Sequence, residues 1–238
     1  MSSFTYLLAS LAFVTLFGLL FLCRPDGQRA MWSTGLTMAP MGPLSQYWHM
    51  KDYWEPIHVL RWIVGAWRFG IEDLLFAFAF SGTSAGLFMW LVEGRSKRPS
   101  ILPTGRISPA RMALWVALLL GLLSLGTDGF GWNSLYGINF AFVVPTVWFL
   151  YRQPAYVFPA SLVGAIAASG MWVFYLAIFN PLFPGVFSEW WKQEALTGIE
   201  LLGVPIEEPV WAFFGGVFCS LLYPNLLIPQ KEDRSSDW

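Results

Sequence analysis

Two pairs of adjacent acidic residues begin long apolar segments, and they are the side chains in this sequence best suited to acid–base chemistry. Glu207 and Glu208 lie in GVPIEEPV, directly before the apolar run WAFFGGVFCSLLY. Glu72 and Asp73 lie in FGIEDLLFAFAF. An ionisable group at membrane depth costs at least ~2.5 kcal/mol, so such residues are usually functional or paired. We therefore treat these four carboxyl groups as candidate catalytic residues.

The chemistry that suits these acids is proton transfer to a double bond. Mutual repulsion and removal from water favour the protonated form of one member of the Glu207–Glu208 pair, which makes a general acid at neutral pH. Such an acid can protonate an alkene in an apolar pocket, where the neighbouring carboxylate and aromatic faces stabilise the carbocation. Water must be excluded, because it would convert the cation to an alcohol.

Aromatic and basic side chains near the acidic pairs are candidates for supporting this chemistry. Arg68 precedes Glu72 by four residues, so on a continuous helix the arginine would pair with the acid and orient it. The aromatic residues expected to line the substrate pocket are Trp67, Phe76, Phe78, Trp211, Phe213 and Phe214.

A purely structural role for the acids is the alternative. Acidic residues at a helix N-terminus complement the helix dipole by about 0.3–1 kcal/mol. Pro205 and Pro209 flank Glu207 and Glu208 and suit the first turn of a helix. The long apolar runs that follow directly, and the occurrence of two such pairs, favour the functional interpretation.

The composition indicates that the elements holding these residues cross a membrane. The chain has 238 residues, of which 56% are hydrophobic and 12% charged, with a mean hydropathy of +0.54. Soluble domains carry about 25% charged residues, and an apolar run of about 18 residues predicts a transmembrane helix. We predict an all-α integral membrane protein with six or seven transmembrane helices. The six runs are 4–23, 74–92, 112–127, 134–151, 157–179 and 210–229, and 56–69 is a weaker seventh.

Other functional classes find little support in the sequence. The net charge of −1 and the lack of a basic stripe give no reason to expect a nucleic-acid partner. His49 and His58 lack metal-ligand spacing, so we expect no metal site and assign both to the membrane interface. Cys23 and Cys219 fall at or within apolar spans and are expected to pack as small apolar residues.

The distribution of basic residues predicts an orientation. The loop 93–111 carries five Lys and Arg residues, so the positive-inside rule places it in the cytoplasm. With six spans, the N- and C-termini also fall in the cytoplasm. The long segments 24–73 and 180–209 then form loops on the outer side.

The sequence also contains an internal repeat. Segments 52–88 and 188–223 each carry tryptophan, a stretch of mixed polarity, an Ile-Glu-(Glu/Asp) motif and an aromatic-rich apolar run. Both acidic pairs enter the membrane from the same side in this interpretation, so the repeats are parallel. We predict a first repeat over residues 1–111 and a second over 112–238.

The duplicated motif resembles the carotenoid (lycopene) cyclase domain. That domain occurs in bacterial heterodimeric cyclases, archaeal tandem cyclases and the fungal bifunctional enzymes, with Pro-x-Glu-(Glu/Asp) in each repeat. Pro205, Glu207 and Glu208 match the motif in full. Glu72 and Asp73 also match it, but position 70 is glycine where the family has proline. The resemblance extends over essentially the whole chain.

The resemblance implies a membrane enzyme that cyclises the linear ψ-ends of lycopene or a related carotene to β-type rings. The reaction is an isomerisation without redox change, so no cofactor is expected, and the chain has no G-x-G-x-x-G motif after a strand. Glu207 and Glu208 would be the primary acid–base pair, with Glu72 and Asp73 completing the site or remaining as a structural echo. The resemblance further implies a bacterial or archaeal cytoplasmic membrane and allows a partner subunit or a homo-oligomer.

Three alternatives remain open. A diverged member could be a non-catalytic carotenoid-binding or structural subunit of a membrane complex, such as a photosynthetic one. A membrane protease with a Glu-Glu pair would need an arginine soon after the pair and helix-borne histidines, which this sequence does not offer. A transporter would also fit acidic residues near the membrane, but its spans would carry more polar residues than these do.

Overall fold

The computed structural model describes residues 4–93 and 105–229, and α-helices dominate this part of the chain. Short antiparallel strand pairs lie in the segments before or after the helices. The helices are α1 (Thr5–Cys23), α2 (Gln28–Met38), α3 (Met41–Asp52), α4 (Ile71–Glu93), α5 (Pro109–Ser124), α6 (Ser134–Arg152), α7 (Val157–Phe174), α8 (Asn180–Leu182), α9 (Val186–Trp190) and α10 (Glu207–Leu226). The strands are β1 (Arg61–Val64), β2 (Trp67–Gly70), β3 (Gly105–Ile107), β4 (Glu200–Leu201), β5 (Val204–Pro205) and β6 (Leu227–Pro229).

Six helical segments are long and apolar enough to cross a membrane, which confirms the prediction of a helical membrane protein. Two of them extend through π-helical turns, Leu125–Gly129 after α5 and Tyr175–Phe179 after α7. The six spans coincide with the six apolar runs of the sequence. They are Thr5–Cys23, Ile71–Val92, Pro109–Gly129, Ser134–Arg152, Pro154–Leu182 and Glu207–Leu226.

The weaker seventh span expected over 56–69 is wrong, because this segment contains a β-hairpin. β1 and β2 pair in antiparallel register, and the two-residue turn between them begins with Gly65 at φ +63°. Aromatic and β-branched residues favour strands, and a glycine at the first turn position suits a two-residue hairpin. Arg61 and Arg68 also make the segment too polar for a span.

Instead, α2 and the start of α3 make an additional pass along the bundle, although neither helix is among the six spans. Gly27 packs against Gly86 near the end of α4, and a Cβ on Gly42 would collide with the backbone carbonyl of Asp73 near its start. The α2–α3 segment therefore runs antiparallel to α4 over most of its length. Consequently, the expectation that residues 24–73 form one outer loop is wrong.

The direction of α1 follows from its contacts with α4. Tyr6 and Ser10 bond to the start of α4, at Asp73 and Glu72, while Phe17 packs on Phe78 further along. The two helices are therefore parallel, and the described chain begins at the end of the bundle that holds the acids. We call this the acid end.

The described chain finishes at the opposite end of the bundle, where β6 pairs with β3. The expectation that both termini share one side is therefore wrong for the described residues, because α2–α3 adds a pass along the bundle. Most of the basic loop 93–111 and the last residues of the chain lie outside the described residues, which omit 94–104 and 230–238.

The centre of the bundle is formed by α4 and α10, which lie parallel. Trp211 of α10 packs on Phe76 and Phe80 of α4, with ring centroids 5.9 and 5.1 Å apart. α7 packs antiparallel against α10 through Gly164 and Gly216, whose missing side chains permit close approach. Both acidic pairs therefore start their helices at the same end of the bundle.

The two parts of the chain show matching features. In each, a strand pair precedes the helix that carries the acids: β1–β2 before α4 and β4–β5 before α10. The segments before these strands meet, because Glu55 N–H donates to the Trp190 carbonyl at 2.8 Å and Lys192 N–H donates to the Tyr53 carbonyl at 2.8 Å. Two parallel repeats would produce this arrangement, and the repeat boundary at residue 111 stays a prediction.

A Gly42→Ala substitution is expected to destabilise the protein by about 1–3 kcal/mol, because overpacking of this size has that cost. The added methyl would strike the backbone of α4, which cannot rotate away as a side chain could. Thermal unfolding in detergent measures the effect. Gly121→Ala is the matched control, since nothing lies within 4 Å of a Cβ there. Equal melting temperatures for the two variants would contradict the close α3–α4 contact.

Candidate active site

All four predicted acids lie at the starts of α4 and α10 and are buried. Their exposed fractions are 0% for Glu72, 1% for Asp73, 5% for Glu207 and 3% for Glu208. Acids that merely complement a helix dipole at a wet interface would be exposed. A helix-dipole role at a wet interface therefore does not account for the burial of the four acids.

A cavity of about 100 Å³ lies between the helices, and only one acid of each pair lines it. Asp73 and Glu208, the second acid of each pair, line it together. Phe76 and Trp211 contribute aromatic faces to the same wall. The structure thus brings together one acid from each half of the chain, rather than the two neighbours Glu207 and Glu208.

The first acid of each pair accepts hydrogen bonds from the segment that precedes a β-hairpin. Glu72 Oε1 accepts a hydrogen bond from Val59 N–H at 2.7 Å. Glu207 Oε1 accepts from Thr197 N–H at 2.7 Å and from the Thr197 hydroxyl at 2.6 Å. These matching bonds give Glu72 and Glu207 a positioning role in the structure.

Glu208 is held by three aromatic donors from three parts of the chain. Its Oε1 accepts from the Tyr53 hydroxyl and from Trp191 Nε1–H, the latter at 2.7 Å, and its Oε2 accepts from the Tyr175 hydroxyl at 2.7 Å. Tyr175 opens the π-helical turn after α7, a distortion that is frequent at functional sites. Burial, followed by the charge of Glu208, raises the pKa of Tyr53 well above its usual value, so Tyr53 keeps its proton.

Asp73 is surrounded by four nitrogen or hydroxyl groups. Its Oδ1 accepts from the Tyr6 hydroxyl and from Gln46 Nε2–H, both at 2.9 Å. Its Oδ2 accepts from Gly70 N–H at 2.8 Å and lies 2.9 Å from Nε2 of His58. Three of these contacts are hydrogen bonds, whereas the His58 nitrogen lies within ion-pair distance without forming a hydrogen bond.

The bond from Gly70 explains the departure from the Pro-x-Glu-(Glu/Asp) motif. Asp73 stands in the third position of α4 and reaches back to the N–H of the residue before the helix, as in a capping box. Proline has no N–H and could not make this bond. A side chain at position 70 would also collide with Glu72 and His58. Glycine at position 70 therefore fits this helix start, where it supplies an N–H that proline lacks.

His49 also lines the cavity and is buried. Its Nδ1 lies 2.9 Å from the Ser134 hydroxyl, which in turn donates to Asp52 Oδ1 at 2.6 Å. Burial lowers the pKa of His49 to about 4, so the imidazole is neutral at neutral pH.

Only part of the predicted aromatic lining reaches the cavity. Phe76 and Trp211 do, whereas Phe78 packs against Phe17 and Trp32 on another face of α4. The remaining three lie elsewhere: Trp67 donates its indole N–H to the Pro43 carbonyl at 2.9 Å, Phe213 packs against Gly164 of α7, and Phe214 packs on Phe213.

Arg68 does not orient Glu72, and that expectation is wrong. The pairing required a continuous helix, but α4 begins only at Ile71 and Arg68 lies in β2. Its guanidinium instead forms an ion pair with Glu55, and both side chains are nearly half exposed.

Most residues that hold the acids in place, and the cavity residue His49, were not predicted from the sequence. Both histidines were expected at the membrane interface. The repeated tryptophan-containing segments offered a signal, because Tyr53 and Trp191 belong to the two aligned stretches. The missed residues are Tyr6, Gln46, His49, Tyr53, His58, Tyr175 and Trp191.

The chain was compared with known families and proteins. The lycopene cyclase family model matches residues 132–226, a segment that holds Glu208 with Tyr175 and Trp191. No curated protein and no solved structure matches the chain. Among the described residues, no group of three or more His, Cys, Asp or Glu side chains could hold a metal ion. Over residues 132–226, about two fifths of its length, the chain is similar to the lycopene cyclase family.

Proposed function

We propose that this protein is a membrane carotenoid cyclase that converts the linear ψ-ends of lycopene-type carotenes to β-type rings by acid catalysis without redox change. The observation that carries the proposal is the shared cavity, which places Glu208 and Asp73 in one buried, aromatic site. Glu208 lies within the segment that matches the lycopene cyclase family.

Glu208 is the proton donor in this proposal. The hydroxyl groups of Tyr53 and Tyr175 can either donate to or accept from it, because a hydroxyl rotates to suit its partner. Glu208 can therefore bind and release a proton without losing its neighbours. Protonation of the terminal double bond of the ψ-end gives a tertiary cation, which the next double bond attacks to close the ring.

Asp73 stabilises the cation in this proposal. Its carboxyl oxygens accept hydrogen bonds from Tyr6, Gln46 and Gly70, which fix the carboxylate beside the cavity. A fixed negative charge among buried apolar side chains lowers the energy of a cation more than it would in water. The faces of Phe76 and Trp211 add to this stabilisation.

Binding of the substrate requires side chains in the wall to move. The cavity of about 100 Å³ is smaller than an engineered cavity of about 150 Å³ that accepts benzene, and a carotene end group is larger than benzene. Met38 and Met41 line the cavity and are flexible enough to make room.

A non-catalytic carotenoid-binding or structural subunit is the second candidate. Such a protein would not need acids in its binding site, and burying them without function is costly. The burial of Asp73 and Glu208 against one cavity favours the enzyme.

We also propose that the β3–β6 end of the bundle faces the cytoplasm. This end carries more arginines than the acid end carries basic residues, as the positive-inside rule requires. The chain would then start outside, and the acids would lie near the outer surface of a bacterial or archaeal membrane. Among the described residues, the arginines at the β3–β6 end are Arg24, Arg29, Arg106, Arg111 and Arg152.

An epitope tag before residue 1 is therefore expected to be accessible to protease added outside intact cells. A tag after residue 238 should be protected. Protection of both tags would contradict the additional pass by α2–α3.

Pigment analysis in a bacterial host that accumulates lycopene tests the function. Expression of the chain should convert lycopene to γ- or β-carotene. Linear lycopene in cells that contain the inserted, intact protein would reject catalysis by this chain alone. Co-purified pigment without conversion would support the carotenoid-binding candidate.

A further inference from the structure

His49 has the hydrogen-bonding arrangement of a proton acceptor. The Ser134 hydroxyl donates its proton to Asp52 Oδ1 at 2.6 Å, so its oxygen must accept from Nδ1–H of His49 across 2.9 Å. This arrangement fixes the tautomer that carries its hydrogen on Nδ1. The other ring nitrogen, Nε2, then holds a lone pair that can accept a proton.

Asp52 supports a positive charge on the imidazole. Its carboxylate also accepts Ser134 N–H at 3.0 Å, and its backbone carbonyl accepts from Asn133 at 2.6 Å. These bonds hold the carboxylate at the far end of the His49–Ser134 chain. When the ring accepts a proton, the negative charge of Asp52 is already in place to stabilise the imidazolium through the serine.

His49 lies close to the proposed proton donor. The rings of His49 and Tyr53 meet edge to face with centroids 5.5 Å apart, and the Tyr53 hydroxyl bonds to Glu208. His49 also lines the cavity that contains Glu208 and Asp73. His49, Tyr53 and Glu208 therefore line one cavity, in which an end group could contact both a base and an acid.

We infer that His49 is the base that ends the cyclisation, an inference that rests on the function proposed above. After ring closure, Nε2 of His49 takes the proton from the ring carbon that bears the polyene. The electrons of that C–H bond form the ring double bond and neutralise the cation. Glu208 is then a carboxylate and His49 an imidazolium, and transfer of the proton back to Glu208 restores both.

Asp73 is less suited to this step. Three donors already bond to its carboxyl oxygens, at least one of them to each oxygen, so accepting a proton would weaken these bonds. Asp73 therefore remains the counter-charge, while His49 removes the proton.

The position of the base determines which ring isomer forms. Loss of the proton from the polyene-bearing carbon gives a β-ring. Loss from the neighbouring ring methylene or from the ring methyl gives an ε- or γ-ring. A cyclase without its base would hold the cation longer and release protons from several positions, or lose the cation to water as an alcohol.

The test is the distribution of ring isomers from His49→Gln in lycopene-accumulating cells. We expect ring formation to fall roughly 10²-fold, as for loss of a general base, and the remaining product to contain ε- or γ-rings or alcohols. Ser134→Ala keeps the imidazole but removes its link to Asp52, so it should shift the isomers in the same direction by less. His58→Gln is the matched control, because His58 contacts Asp73 and its loss should slow the reaction without changing the isomers.

The outcomes separate this inference from the proposed function. A wild-type chain that leaves lycopene linear would overturn both. A wild-type chain that makes β-rings, with His49→Gln and Ser134→Ala producing the same isomers at any rate, would overturn the role of His49 alone.

Discussion

Glu208→Gln is expected to abolish ring formation by the inserted protein. Glutamine has the shape of glutamic acid but no proton to give, and a general acid contributes roughly 10²–10⁴-fold to a rate. The amide can still meet Tyr53 and Tyr175, whose hydroxyl groups can rotate to suit it. Pigment extraction after equal expression measures the loss as unconverted lycopene.

Glu207→Gln is the matched control, one residue away in the same helix. Its amide oxygen can still accept from Thr197, so we expect a change in stability of about 1 kcal/mol or less and nearly normal ring formation. If Glu207→Gln were inactive and Glu208→Gln active, Glu207 would be the proton donor. The assignment of Glu208 would then be wrong.

Asp73→Asn is expected to lower ring formation roughly 10²-fold, the scale seen when one preorganised stabilising group is removed from an active site. The substitution removes the negative charge that opposes the cation. It also turns an amide NH₂ toward the donors at one of the two oxygens, either Tyr6 and Gln46 or Gly70, and donors left unpaired cost about 1–3 kcal/mol of stability. Product formation per folded protein and the melting temperature should be measured on the same preparation.

Glu72→Gln is the control for this effect, because Glu72 fastens Val59 and does not line the cavity in the described structure. We expect this variant to keep its ring formation per folded protein. If Asp73→Asn lost stability but kept the wild-type rate per folded molecule, Asp73 would be a helix cap and not a counter-charge.

The helical spans and the acids could be predicted from the sequence because both depend on local composition. Long apolar runs and adjacent carboxylates are visible without any knowledge of packing. The α2–α3 pass could not be predicted in this way. Its helices have only 11 and 12 residues and carry hydroxyl groups at Ser33 and Thr37, which bond to carbonyls of their own helix and so tolerate burial.

The division of roles within each acidic pair also needed the structure. Consecutive residues on a helix point about 100° apart, so only one acid of a pair can face a given cavity. The sequence does not say which one, because that depends on how α4 and α10 are rotated about their axes. The contacts of His49 and His58 depend in the same way on elements distant in sequence, such as Ser134 for His49.

The two backbone hydrogen bonds that join the halves, Glu55 to Trp190 and Lys192 to Tyr53, affect how the sequence can evolve. Tyr53 and Trp191 lie on the two segments that these bonds join, and both hold the carboxyl group of Glu208. A mutation near Tyr53 therefore alters the surroundings of an acid that the other half carries, and a mutation near Trp191 alters the segment to which Tyr53 is bound. Substitutions in one half therefore require compatible residues in the other, so we expect the two halves to evolve together.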